Sequence, residues 1–185
     1  VLHNNELDKD FIAELLMQQN DKGDWQIKKI SNLADFIVQL DAAKRAKQAL
    51  LNKPVMDRLN QALQATSERL TLNKDSNKIG SEEKATLTAT IMAKNMSNVA
   101  INRMYYDVTV LNDKGEQLYS YPEHYQGSIA PGQAVELTTS KKLNSMLPDD
   151  QKLMNLDITK ETVKIQVTYI AFDNGEVISP KGLIE

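Results

Sequence analysis

Asn73-Lys74-Asp75-Ser76-Asn77-Lys78-Ile79-Gly80-Ser81-Glu82-Glu83 is the stretch on which the reading of this chain turns. It is polar and rich in turn formers, so 73–83 reads as a linker. Before it, apolar residues recur every three or four positions, the spacing of one helix face. After it they alternate: Leu87, Ala89, Ile91 and Ala93 are interleaved with Thr88, Thr90 and Met92, the period of a strand. The chain therefore reads as α+β, with a helical hairpin or bundle at 1–72 and an antiparallel β-sandwich domain at 84–185.

Three helical segments are expected in the first region. Phe11, Ile12, Leu15 and Leu16 make one face, with Asn5, Asp8 and Asp10 as N-terminal caps. A turn at Asn20-Asp21-Lys22-Gly23-Asp24 follows, and Trp25 after it reads as an anchor closing a small core rather than a ligand-stacking residue. The second helix runs from Ser31 to Leu51, with Leu33, Phe36, Ile37, Leu40, Ala43 and Leu50 near one stripe and Asn32 with Asp35 as a capping-type start. Pro54 removes an amide donor, so a break is expected at Asn52-Lys53-Pro54. Val55, Leu59, Leu63, Thr66 and Leu70 then continue with a period near four to Leu72, as the second arm of a hairpin.

Beyond the linker the alternation is sustained. Met104, Tyr106, Val108 and Val110 share a face opposite Arg103, Tyr105, Asp107 and Thr109. Asn112-Asp113-Lys114-Gly115 supplies hairpin-turn chemistry, the strand from Glu116 to Tyr121 returns, and Pro122 is expected to end it, leaving His124 on a loop. Ala130-Pro131-Gly132-Gln133 reads as a tight turn into the strand from Ala134 to Thr139. The stretch from Lys141 to Asp157 is irregular, with a short helix near Lys142 to Met146. Val163, Ile165, Val167 and Tyr169 alternate toward Phe172, and Asp173-Asn174-Gly175-Glu176 turns into Val177-Ile178. Two long strands each followed by an Asn, Asp and Gly turn need only local hairpin chemistry, not a duplication. Strands and turns so spaced suggest an immunoglobulin-like sandwich.

The strand ending at Lys94-Asn95, the strand and turn from Tyr106 to Gly115, and Ala130-Pro131-Gly132 together resemble the small immunoglobulin-like domains of bacterial envelope lipoproteins, such as FxLYD-type domains. The resemblance covers Leu87 to Ser179; Met104-Tyr105-Tyr106-Asp107 is a loose echo of the Phe-x-Leu-Tyr-Asp signature, which is absent. It implies an extracytoplasmic location, periplasmic or cell-surface, and a non-catalytic role, with no active-site residues. Residue 1 is Val rather than Met, and removal of a leader or lipid anchor upstream is an expectation that agrees with that location.

Composition narrows the chemistry. The chain has 185 residues, a net charge of −3 and no cysteine, so disulfides, zinc–thiolate sites and thiol catalysis are excluded. An acidic balance gives no general attraction to a polyanion, and no nucleic-acid partner is expected. The best basic cluster, Lys44, Arg45, Lys47 and Lys53, reads as charges near a helix C-terminus. No run is long and apolar enough to cross a bilayer as a helix.

Residues with reactive groups are few. His124 is the sole histidine besides His3, and a general base there has no Gly-x-Ser-x-Gly elbow to serve. Glu123 with His124 lacks the spacing of a metal site, and the acidic turns lack that of an EF-hand. Asn95-Met96-Ser97 matches the glycosylation sequon as a chance pattern. No cofactor or metal is expected. The binding candidates are Tyr105, Tyr106, Tyr119, Tyr121 and Tyr125, five of the six tyrosines within one hairpin and its exit. On a strand Tyr119 and Tyr121 share a face, where they either form an exposed platform or cover the core.

The expected function is a non-catalytic, envelope-associated interaction or structural module, not an enzyme, that binds a protein partner through the Tyr-rich hairpin or an open sheet edge. Two alternatives stand beside it: an enzyme or enzyme inhibitor acting through the loop around His124, and a helix-mediated oligomer with the sandwich as spacer.

Overall fold

A computed structural model describes residues 1–74 and 83–180. In chain order the strands are β1 (Leu2–Asn4), β2 (Lys9–Phe11), β3 (Leu15–Gln19), β4 (Trp25–Ile30), β5 (Leu63–Lys74), β6 (Lys84–Asn95), β7 (Ile101–Leu111), β8 (Gln117–Ile129), β9 (Ala134–Asn144), β10 (Thr162–Phe172) and β11 (Val177–Ile178). Helix α1 (Leu33–Ala62) lies between β4 and β5, and α2 (Pro148–Met154) follows β9. The described residues are thus mostly β, and the chain divides into two compact units, Val1–Lys53 and Pro54–Glu185.

The helical hairpin or bundle expected at 1–72 is overturned. As far as Ile30 it is two small antiparallel hairpins, β1 with β2 and β3 with β4. Phe11, read as helical, ends β2 and is buried edge-on against Phe36 of α1, with ring centroids 6.0 Å apart. Asn32 does not cap α1 with its side chain: Glu14 N–H donates to its Oδ1, and its Nδ2 donates to the Ile12 carbonyl. The Asn20 turn forms as read, with Asn20 Oδ1 accepting from the amides of Lys22 and Asp24. Trp25 is 64% exposed and closes no core.

Helix α1 runs through Pro54 without the expected break. An interior proline costs about 3 kcal/mol. Beyond it, however, Leu59 and Ala62 are buried in the core of the second unit and Val55 and Met56 pack against that core, and burying such side chains is worth about 1.5–3 kcal/mol each for the larger ones. The basic cluster Lys44, Arg45, Lys47 and Lys53 therefore lies mid-helix, where the terminal-dipole argument does not apply. Lys47 donates to the Glu6 carbonyl.

The third expected helix, 55–72, is helical only to Ala62; Leu63 begins a twelve-residue strand. Its apparent period of four comes from a bulge. Leu63, Ala65 and Ser67 alternate inward, the register shifts between Ser67 and Arg69, and Leu70 and Leu72 resume on the same face. Of the expected linker 73–83, Asn73 and Lys74 belong to β5 and residues 75–82 lie outside the described residues.

In the second unit two antiparallel sheets, ordered β5-β6-β9 and β11-β10-β7-β8, supply one apolar core. The alternation read from the sequence sets the faces: Ala85, Leu87, Ala89, Ile91 and Ala93 of β6, and Met104, Tyr106, Val108 and Val110 of β7, are all buried. Gly115 (φ +77°) and Gly132 (φ +74°) hold left-handed turn positions between β7 and β8 and between β8 and β9, where a Cβ would be strained. The arrangement is compatible with a β-sandwich. Helix α2 starts at Pro148, later than the 142–146 expected, because β9 continues to Asn144.

Candidate functional site

Strand β8 does not end at Pro122; it runs to Ile129, with Pro122 level with Asp107 of β7. A proline is tolerated there because β8 is the edge of its sheet and its missing N–H breaks no ladder. His124 is therefore on a strand, level with Tyr105, and not on a loop.

Strand parity then sorts the five candidate tyrosines. Cross-strand partners share a face, and Tyr119, Tyr121 and Tyr125 lie level with Val110, Val108 and Met104, the buried row of β7. With Tyr106 they form the inner face. Tyr121 is 3% exposed, and its hydroxyl lies 2.8 Å from Thr139 Oγ1 on β9, joining the two sheets. Tyr119 is half-buried and donates to Asp150 Oδ1 (3.1 Å), while Asp150 Oδ2 accepts the Asn144 amide. Tyr125 lies over Gly127, where an added Cβ would meet its hydroxyl oxygen at 2.5 Å. Burial pushes the Tyr106 phenol up to about 12, helped by the negative charge of Glu123. Burial, then the hydrogen bond to Asp150, takes Tyr119 up to about 12 as well.

Tyr105 alone of the five faces outward, 37% exposed. The sixth tyrosine joins it there. A register shift between Val167 and Tyr169 makes Thr168 a bulge, which turns Tyr169 outward to lie level with Tyr105 and sends Ile170 and Phe172 into the core. The simple alternation read for 163–169 fails at that residue. A signal for it exists: the apolar positions change parity after Val167, from Val163, Ile165 and Val167 to Ile170 and Phe172.

The outer face thus carries a row of three rings across three strands. Tyr105 sits 5.0 Å from Tyr169 and 6.1 Å from His124, centroid to centroid, tilted at 55° and 47°. Beside the row is a cleft of about 520 Å³ lined by Tyr105, Asp107, Pro122, His124 and Thr168, with Tyr106 and Glu123 between them along the strands. Burial raises the Asp107 carboxyl above its usual range. Such a surface offers aromatic faces, a carboxylate and an imidazole.

Consecutive strand residues point to opposite faces, so Glu123, in the inner row, and His124, in the outer, cannot share an ion. Among the described residues no three His, Asp or Glu groups converge as a metal site would require. The Asn112 side chain is spent on its own turn: Oδ1 accepts from the Lys114 and Glu116 amides, and Nδ2 donates to Glu116 Oε2. Asn95 of the sequon is fully buried, its amide donating to the carbonyls of Val99 and Ile129 and accepting from Ser97.

No family model matches the chain, and no curated protein matches it. Three solved structures resemble it distantly. A Northeast Structural Genomics Consortium target shares 14% identity at a TM-score of 0.37, over 69% of this chain and 93% of that one. A protein from Archaeoglobus fulgidus shares 14% at 0.32, over 60% and 89%. A Bordetella pertussis target described as an ApaA protein shares 12% at 0.32, over 66% and 98%. Likeness at this level assigns neither a fold nor a function.

Proposed function

We propose that the chain is a non-catalytic interaction module of the cell envelope whose second unit binds a protein partner on the outer face of the four-stranded sheet. The observation that carries this is the row His124, Tyr105 and Tyr169, with Tyr105 between the other two rings and in contact with each, on a face backed by an apolar core. Tyrosines held this way bring large contact area at little entropic cost, which is why they recur as binding hot spots. The face is favoured over the β8 edge because Pro122 removes an amide that an added strand would need there.

An extracytoplasmic, lipid-anchored or periplasmic setting is the part of the reading that rests on the resemblance to FxLYD-type envelope domains. Its support is the division of the strands: labelled A, B, C, C′, E, F and G in chain order from β5 to β11, they divide as ABE and GFCC′, an immunoglobulin-like partition. The enzymatic reading of His124 is less well served, since among the described residues no hydrogen bond orients its ring, which lies against Tyr105.

Selection of a random dodecapeptide phage library against the full chain tests the reading. Peptides should be enriched, and Tyr105→Ala or Tyr169→Ala should weaken them by roughly 30-fold, the loss of a typical aromatic hot spot of about 2 kcal/mol. Tyr121→Phe, on the inner face, should leave them bound. Peptides indifferent to both outer tyrosines, or no enrichment, would refute it.

A further inference from the structure

One carboxylate on the outer face of the four-stranded sheet is left bare. Asp107 is half-buried, yet among the described residues no hydrogen bond or ion pair holds its carboxyl. Its cross-strand neighbours are Pro122, whose ring has no donor to give, and Gln166, which donates nothing to it. Burial raises the carboxyl, and no neighbouring cation draws it back. A charge part-stripped of water is costly unless a counter-charge or donor replaces that water.

What lies beside that charge narrows what could fill the gap. Tyr105 is the next outward position of β7, about 7 Å along the strand, and it stands between the His124 and Tyr169 rings. The cleft of about 520 Å³ thus joins a bare carboxylate to aromatic surface. Ring faces carry partial negative charge, so both halves favour a cation. Among protein side chains arginine fits them together: its flat guanidinium stacks on rings and forks onto a carboxylate, whereas lysine is a compact, strongly hydrated charge. Arg103 and Lys164 on the same face lie one outward position beyond Tyr105 and beyond Asp107, and neither pairs with Asp107. They repel further positive charge, so one arginine among neutral or acidic residues suits the cleft and a polybasic run does not.

We infer that this cleft receives a single arginine side chain of the protein partner, its guanidinium laid on the Tyr105 ring and paired with the Asp107 carboxylate. Such recognition rests on the proposed protein-binding role of the outer face and names the residue that face selects. It gives Asp107 a part that the ring row alone does not require.

The test titrates the full chain with acetyl-Gly-Arg-Gly-amide and with its citrulline twin, which keeps the shape of arginine and lacks the charge. His124 is one of two histidines and His3, the other, belongs to the first unit, so the His124 ring signals in nuclear magnetic resonance report on the cleft. The arginine peptide should shift them saturably, and the citrulline peptide should bind at least tenfold more weakly. Asp107→Asn should abolish that preference while leaving the fold intact, since the carboxyl makes no contact to lose. A tetralysine peptide should bind more weakly than the arginine peptide. No saturable shift, equal binding of the arginine and citrulline peptides, or an arginine preference that survives Asp107→Asn overturns the proposal. The dodecapeptide selection separates its failure from that of the protein-binding role. Enriched peptides that need Tyr105 and Tyr169 but carry no arginine sink the arginine site alone, whereas absence of enrichment sinks both.

Discussion

Replacing Asn95 should be among the most damaging single changes in the second unit. The residue is fully buried at the end of β6, and its amide serves four groups: Nδ2 donates to Val99 and Ile129 carbonyls at 2.8 Å each, and Oδ1 accepts from the Ser97 amide at 2.9 Å and hydroxyl at 2.7 Å. Asn95→Ala strands the Ile129 carbonyl and the Ser97 amide; the single Ser97 hydroxyl proton, no longer drawn to Oδ1, goes to the Val99 carbonyl. Two orphaned groups at about 1–3 kcal/mol each give a loss of about 3 kcal/mol. Asn95→Asp is nearly the same size but must put an oxygen where Nδ2 met two carbonyls, so the buried carboxyl should hold a proton to higher pH than an exposed one does. A carboxyl raised in the folded state contributes stability that is complete below its unfolded value, about 3.9, and lost as pH rises through the folded value. The deficit of Asn95→Asp against the natural chain should therefore be large near neutral pH and shrink toward about pH 4. Urea unfolding followed by far-ultraviolet circular dichroism measures both, with an expected midpoint shift of roughly 1.5 M for Asn95→Ala at a slope of about 2 kcal/mol/M. Tryptophan fluorescence would not serve, because the single Trp25 is exposed in the other unit. An Asn95→Asp chain as stable as the natural one at neutral pH, or with a deficit that ignores pH, refutes the reasoning.

Tyr121→Phe should cost about 1–2 kcal/mol by leaving the buried Thr139 hydroxyl without its partner, and adding Thr139→Val should recover most of it, as double-mutant unfolding would show. Gly127→Ala should displace the Tyr125 ring, whose hydroxyl oxygen an added Cβ would meet at 2.5 Å; in combination with Tyr125→Ala the alanine should be better tolerated than alone, a coupling that additive losses would disprove. With Tyr106 and Tyr119 each pushed up to about 12, their proton-bound forms stabilise the fold fully below about pH 10. Stability should fall as pH rises from there toward 12. Burial raises the Tyr121 phenol too, so ultraviolet titration should show three phenols ionising only with alkaline unfolding.

Much of the second unit was legible because strict alternation leaves one solution. In β6 and β7 every second residue is apolar, and a one-residue slip would expose the whole set; the turns at Asn112, Ala130 and Asp173 carry the residues that positive φ and side-chain bonding demand. The first seventy residues misled for equally specific reasons. Leu63 and Leu70 stand seven apart, which is two helical turns or three alternations and one bulge residue, and β5 takes the second option because its Leu63, Leu70 and Leu72 must all face the core. Thr66, Ser67 and Thr71 were the local hint, since such residues favour strands or compete for backbone bonds in helices. Pro54 misled in the other direction: the packing of Leu59 and Ala62 outweighs a local penalty that the sequence displays and the burial does not.

The outer-face ring cluster was hidden by the same device that disguised β5. Counting in twos from Val163 assigns Tyr169 to the core; the extra residue at Thr168 moves it to the opposite face, beside Tyr105. Without that bulge Tyr105 would have His124 for company and no second tyrosine, while Ile170 and Phe172 would point to water. The bulge is therefore held in place by burial of two large side chains, at about 1.5–3 kcal/mol each, and the ring cluster follows from that packing. Deleting Thr168 should be resisted by the core rather than absorbed by the strand, so a Thr168-deleted chain should unfold more easily by several kcal/mol, and it should lose the Tyr105–Tyr169 contact together with any ligand seated on it. A deletion mutant of unchanged stability would mean that the parity of β10 is not fixed by Ile170 and Phe172, and the placement of the outer ring row would fall with it.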